Sequence, residues 1–216
     1  MGIGGGALLL AVMATLVPPA ALIPVHGVVQ LGSNGGRAVM LWRAISRPAL
    51  PGFVAGSVLG CGIGGAVVID LPPALIQIGV GLFVIYSLFA TPPAWLSRWP
   101  WLTGMVSSFL TMFFGATGLF VANYTKSLAL ARHAHVATHA ALMTVQHALK
   151  VLVFGLLGFA FGQWVLVTVA LIGAGLAGTF AGRLALNRIT DRGFKRALDV
   201  VLLLISLRLI WQGLTA

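Results

Sequence analysis

Acidic residues are almost missing from this chain: three Asp and Glu in 216 residues, against 13 Lys and Arg, for a formal net charge of +10. Charged residues of both signs reach only 7%, where a globular domain needs roughly a quarter to wet its surface. Cysteine occurs once, as Cys61, so no disulfide can form within the chain, and no Cys/His spacing matches a metal site. Its place in a glycine-rich apolar stretch, with no nucleophile–base pair in view, argues against an enzyme. No basic n-region precedes the apolar start, so a cleavable signal peptide is not expected. The basic excess does not point to nucleic acid, because most Lys and Arg lie in short loops between apolar runs rather than on a solvated face. No cofactor is implied.

Apolar residues are abundant: 59% of the chain is A, V, I, L, M, F, W, Y or C. Runs of them fall at 2–17, 21–42, 51–70, 73–91, 101–130, 134–160, 163–182 and 197–214. Most approach the roughly 20 residues that a spanning helix requires. Prolines punctuate them, at Pro18-Pro19, Arg47-Pro48 with Pro51, Pro72-Pro73 and Thr91-Pro92-Pro93. The pattern predicts an all-α integral membrane protein forming a single transmembrane domain over 1–216.

The chain also repeats. A shift of 113 residues places Gly2 on Gly115, Gly5 on Gly118, His26 on His139 and Arg37 on Lys150. It also places Gly60, Gly62 and Gly65 on Gly173, Gly175 and Gly178, after which the hydrophilic stretch 187–196 breaks the register. Two repeats of about four hydrophobic segments follow, at 1–98 and 99–216. Their loops differ in charge. Arg43 and Arg47 answer an uncharged turn near Phe161, Lys126 and Arg132 answer an uncharged turn at 18–20, and Asp70 answers a loop rich in Arg. Equivalent loops of opposite bias predict inverted repeats. Inversion needs an odd number of crossings per half, so the first segment of each half is expected to be re-entrant, with FGATG at 114–118 as the break. Arg43, Arg47, Arg98, Lys126, Arg132, Arg188, Arg192, Lys195 and Arg196 then all face the cytoplasm, whereas a plain eight-span arrangement splits them six to three.

Chemistry concentrates in two places. The glycine junctions, with Gly4 and Gly5 in the first repeat and Gly115 and Gly118 in the second, admit two readings. Either they present backbone N–H groups and a positive helix end to an anion, or they serve close helix packing. The second segment of each repeat carries a polar stripe: His26, Gln30, Ser33, Asn34 and Arg37 in one, His139, Gln146, His147 and Lys150 in the other. No acid lies on either stripe to pair with Arg37 or Lys150, as an anion site requires. Snorkelling of both cations to an interface is the alternative. His26 and His139 are candidate gates or proton carriers, since imidazole titrates near neutrality, or they bond a neighbouring loop. His133 and His135 belong at a wet interface, and Trp95, Trp99 and Trp101 suit an interfacial aromatic belt.

The GIGGG start, the PP turn, the PVHGVVQLGSNGGR helix and the second GATG half resemble the TauE/SafE family over essentially the whole chain. The resemblance implies a secondary transporter, an exporter of small anions such as sulfite, organosulfonates or related sulfur oxyanions, multi-pass in the bacterial inner membrane. An anion channel, or a membrane assembly protein without transport activity, are the competing readings. The expected partners are the small anionic substrate and the lipid bilayer, with a homo-oligomer left open. Two departures from the family pattern stand out. The first glycine motif lacks the hydrophobic arm that 101–114 supplies to the second, and Thr117 and Leu119 replace glycines of the second motif.

Overall fold

The structure, a computed structural model, describes residues 3–68, 72–185 and 191–215; the side chains of 3, 4, 176, 178–185, 191, 192, 194 and 195 lie outside that description. The expectations for Asp70, Arg188, Arg192 and Lys195 therefore fall outside the described residues. Everything described is helix, turn or coil. The helices are α1 (Ile3–Leu16), α2 (Pro19–Met40), α3 (Leu50–Val68), α4 (Pro73–Phe89), α5 (Pro100–Phe114), α6 (Gly118–Ser127), α7 (Arg132–Leu156), α8 (Val165–Ala185) and α9 (Asp191–Thr215). Pro19, Pro73 and Pro100 each open a helix, where the missing N–H has no intrahelical acceptor to lose.

Among the described residues, three stretches are long and apolar enough to cross a membrane: Arg47–Val68, Arg132–Leu156 and Arg196–Thr215. Shorter apolar helices cover Gly5–Leu16, Pro73–Phe89, Pro100–Phe114 and Phe161–Gly175. The protein is thus all-α and membrane-embedded. α1 supplies the centre of the main core: Leu10, Ala11 and Met13 are fully buried against Leu22 and Val25 of α2, Val80 and Val84 of α4 and Leu209 of α9.

Helix pairing follows close glycine contacts. α3 and α5 run parallel, and the four-residue series Gly52, Gly56, Gly60 and Gly64 faces Pro100, Trp101, Met105 and Met112 in turn. A Cβ on Gly60 would overlap the Met105 carbonyl and sit 2.9 Å from the Phe109 nitrogen, so the two backbones touch directly. Small-residue packing of this kind holds helices together where lipid removes the hydrophobic drive between them. α8 carries the repeated glycines, yet a Cβ on Gly173 would meet no other described atom within 4 Å. α2 and α7 run antiparallel, with Gly27 on Lys150, Gly35 on Thr144, and the Ser46 N–H donating to Thr138 Oγ1 at 2.9 Å. α4 and α9 are antiparallel too, with Gly81 on Ser206 and Ile210, and Gly213 on Ala74 and Ile78.

α5 ends at Gly115, whose φ of 74° lies in the region that side chains disfavour. The chain then turns back through α6, only 10 residues or about 15 Å long. Ser127 Oγ donates to the Ser97 carbonyl at 3.4 Å and Asn123 Nδ2 to the Pro92 carbonyl at 3.5 Å, beside the loop that leads into α5. α5 and α6 are thus a hairpin that leaves and returns at one end of the molecule. The 41–49 loop joins that end, since Tyr124 Oη donates to the Ala49 carbonyl at 3.2 Å. Arg43, Arg47, Arg98, Lys126 and Arg132 collect there. The described turns of the opposite end, at 17–18 and 157–164, contain no Lys or Arg.

Candidate functional site

The α5–α6 hairpin lies against α7 where α7 crosses α2, and buried polar side chains meet at that crossing. From α7 come Gln146, His147 and Lys150, one turn apart and at most 1% exposed. From α5 come Ser107 and Thr111, and from the hairpin tip Thr117, all fully buried. Ser107 Oγ donates to Gln146 Oε1 at 2.8 Å, and Gln146 Nε2 donates to Thr117 Oγ1 at 2.6 Å. Gln146 thereby ties α7 to both sides of the break. Thr111 Oγ1 donates to the Gly115 carbonyl at 2.9 Å and receives the Lys150 Nζ hydrogen bond at 3.5 Å. The lysine reaches this depth because Gly27 leaves room for it: a Cβ there would sit 2.8 Å from Lys150 Cε.

His26 of α2 completes the cluster. Its Nε2 lies 3.2 Å from the Gly6 carbonyl, which accepts only from the Nε2–H tautomer. The Gln30 amide nitrogen, 3.3 Å from the same atom, is then a packing neighbour and not a second bond. His26 Nδ1 remains without a partner. His147 packs edge-on to His26 at 6.0 Å between centroids, and neither of its ring nitrogens has a partner. Ser57 Oγ and Ser108 Oγ are also buried and unpartnered. A buried polar group left unpaired costs about 1–3 kcal/mol, so a crossing kept only for packing has no reason to hold three such imidazole nitrogens beside a lysine. The grouping presents a cation and several hydrogen-bonding atoms with no carboxylate hydrogen-bonded to them, which is the chemistry an anion requires.

The structure brings Lys150, Gln146, His147, His26 and Gly115 together, and Gly118 lies next to them, 3.8 Å from Met143 Sδ by its Cβ direction. It does not bring Arg37, Ser33 and Asn34 to the same place. Because α2 and α7 are antiparallel, Arg37 lies ten residues, or about 15 Å, beyond the Gly27–Lys150 contact, toward the basic end. There its guanidinium donates to Asn34 Oδ1 at 3.0 Å and to the Ser33 carbonyl at 3.3 Å. Asn34 Nδ2 donates in turn to the Gln30 carbonyl at 2.9 Å, and Ser33 is exposed. His139, half-buried with Nδ1 unpartnered, sits about 16 Å before Lys150 on α7, also toward the basic end. Gly5 has open space beside it, Gly4 is helical with surroundings outside the described residues, and Gly6 is the α1 glycine that meets the stripe, against Gln30 and His26.

Sequence reasoning missed Ser107, Thr111 and Gly27, and noted Thr117 and Gly6 only as parts of the glycine motifs, not as partners in the cluster. A signal existed for two of these: Thr103, Ser107 and Thr111 follow at four-residue spacing on one face of α5, all buried. Thr117 stands at the repeat position of Gly4 and supplies a hydroxyl where the first repeat has bare backbone.

Residues 1–209 match the sulfite exporter TauE/SafE family. No curated protein and no solved structure matches the chain. With the match spanning nearly the whole length, around a buried cationic cluster in an all-helical membrane fold, the chain belongs to the TauE/SafE family of exporter-type membrane transporters.

Proposed function

We propose that the protein is a secondary transporter that exports small anions, namely sulfite, organosulfonates or related sulfur oxyanions, across the bacterial inner membrane. The observation that carries this is Lys150: fully buried, bonded only to the Thr111 hydroxyl among the described residues, and flanked by the unpartnered nitrogens of His26 and His147. An unpaired buried ammonium is costly, and a bound anion offsets that cost. Gln146 and His147 then offer hydrogen bonds, and the hairpin tip from Gly115 to Gly118 offers backbone. Arg37, Ser33 and Asn34 form a separate station at the basic end that attracts the anion inward. Gly4 and Gly5 belong to the equivalent junction of the first repeat, and His26 and His139 are gates at the central and basic-end levels.

Two inverted repeats, 1–98 and 99–216, are the architecture we assign, each with a re-entrant first segment. Their inversion is supported by the antiparallel packing of repeat-equivalent helices, α2 on α7 and α4 on α9. The re-entrant segment is supported by α6 returning Ser127 to Ser97. The gathering of Arg43, Arg47, Arg98, Lys126 and Arg132 at one end supports a cytoplasmic placement of that end in a multi-pass topology. Rocking of one repeat against the other would alternately expose the central cluster.

The test is anion-dependent thermal stabilisation of the purified protein with sulfite, sulfate, thiosulfate, phosphate and chloride. A ligand at 100 times its Kd adds about 2.7 kcal/mol, or about 5–10 °C for a chain of this size. A rise selective for sulfur oxyanions and lost in Lys150→Ala supports the assignment; a rise unchanged in that variant removes Lys150 from it.

A further inference from the structure

Phe53, Ser57, Cys61 and Gly65 follow at four-residue spacing along one stripe of α3, and all four are buried. Both ends of the stripe meet α7. Phe53 clusters with Leu142 and Met143, and a Cβ on Gly65 would overlap Val153 Cγ1. Ser57 and Cys61, between those ends, therefore face the stretch of α7 that carries Gln146, His147 and Lys150. Cys61 and Lys150 lie close enough to interact electrostatically. α5 borders the same region: Cys61 Sγ donates to the Ser108 carbonyl at 3.8 Å. Ser108 in turn stands between Ser107 and Thr111, the hydroxyls that bond Gln146 and Lys150. Ser57 and Ser108 are fully buried, and neither hydroxyl has a partner among the described residues. Other helical hydroxyls return to a carbonyl three or four residues back, as Ser87 does to Val84, Thr144 to Ala140 and Ser206 to Leu202. Ser57 and Ser108 do not, so two hydroxyl donors remain at the level of the lysine.

We propose that Ser57 and Ser108 bind the anion, donating to its oxygens from the α3–α5 side while Lys150 supplies the charge from α7. This rests on the anion-site reading above and extends it to α3. The two kinds of group do different work. An ammonium attracts any anion, whereas a hydroxyl donates one directed hydrogen bond to one acceptor atom. Donors arriving from α3, α5 and α7 therefore suit an ion with several oxygens and give a bare halide fewer partners. The hydroxyls are also held in place before the anion arrives, because Gly56 and Gly60 bring the α3 backbone against the carbonyls of Trp101 and Met105. Such preorganisation lowers the ordering cost of binding.

The experiment measures the half-saturating concentrations of sulfite and chloride in thermal stabilisation of the purified chain. It uses the wild type, Ser57→Ala, Ser108→Ala, Lys150→Ala and Ser206→Ala, the last a buried serine of α9 already bonded to its own helix. Sulfite is expected to act on the wild type at concentrations well below those of chloride. Ser57→Ala and Ser108→Ala should each raise the half-saturating sulfite concentration about tenfold, the effect of losing one hydrogen bond to a charged group. Neither should lower the melting temperature without anion, because each removes a buried hydroxyl that bonds nothing. Ser206→Ala should leave the sulfite titration as in the wild type. A half-saturating sulfite concentration unchanged in Ser57→Ala and Ser108→Ala overturns the assignment of these hydroxyls and leaves the lysine site standing. A melting temperature that falls without anion in both variants overturns it as well, since the hydroxyls then hold helix to helix. Equal potency of sulfite and chloride in the wild type overturns the oxyanion preference. A sulfite response absent from the wild type, or persisting in Lys150→Ala, overturns the lysine site itself and this inference with it.

Discussion

Gly60 and Gly173 occupy the same position of the two repeats, and replacing each with alanine separates what local sequence specifies from what packing adds. In a helix interior alanine is favoured over glycine by about 0.8–1 kcal/mol, so propensity alone predicts that both variants gain. At Gly173, where a Cβ would meet no other described atom within 4 Å, that gain meets no opposition among the described residues. At Gly60 the new methyl overlaps the Met105 carbonyl and stands 2.9 Å from the Phe109 nitrogen, both backbone atoms that cannot rotate away. Carbon contacts relax at about 3.5–4.0 Å, so α3 and α5 must separate by about 1 Å. They would do so along a seam that Gly56, Gly64 and Gly104 also keep tight. Overpacking of this kind costs about 1–3 kcal/mol, and loss of the neighbouring contacts pushes Gly60→Ala to the upper part of that range. The propensity gain is common to both, so the two variants should differ by about 2–3 kcal/mol, or about 4–12 °C in melting temperature by the scaling for a chain of this size. Thermal unfolding of both in one detergent reads the difference directly. Equal shifts in the two variants would refute the α3–α5 contact, and with it the asymmetry between the repeats.

Gly27→Ala keeps every charge but pushes a methyl against Lys150 Cε, so the half-saturating anion concentration should rise several-fold with little change in melting temperature without anion; an anion titration checks it. Gln146→Leu removes both Gln146 hydrogen bonds and leaves Ser107 and Thr117 only their 3.4 Å bond to each other, and should cost about 1–3 kcal/mol, whereas Ser107→Ala should cost about 1 kcal/mol, both read from denaturation midpoints. His26→Leu removes the hydrogen bond to Gly6 and should raise amide exchange in the first turns of α1 while leaving α9 protected. Arg37→Ala should slow anion uptake into vesicles and flatten its dependence on added salt, because the screened attraction is gone, yet leave anion-dependent stabilisation intact, because Arg37 lies about 15 Å from Lys150 along α2.

The element boundaries were legible to within a few residues. The run expected at 73–91 is the helix Pro73–Phe89, that at 51–70 is Leu50–Val68, and the run at 101–130 divides at Gly115 into Pro100–Phe114 and Gly118–Ser127. This follows because hydrocarbon leaves backbone groups no partner but their own helix, so an apolar run between prolines has one solution and its ends are written locally. The cationic stripes, the polar residues of α7 and the glycine break were visible for the same reason: each repeats within three or four residues, on one face of one helix.

Which faces meet was not written locally. Arg37 and Lys150 share a repeat position, and only the antiparallel crossing of α2 and α7 puts one in the central cluster and the other near the basic loops. Gly60 and Gly173 share a position as well, yet one lies against the backbone of α5, while a Cβ on the other would meet no other described atom within 4 Å. The hydroxyls of Ser107, Thr111 and Thr117 gained a role only because the hairpin folds back onto α7, about 30–40 residues further along the chain. Composition and spacing determined that this chain is helical, membrane-embedded and rich in unpaired cations. Tertiary contacts between distant residues decided which cation is buried, because the cost of an unpaired charge depends on what surrounds it and not on the residues beside it in sequence.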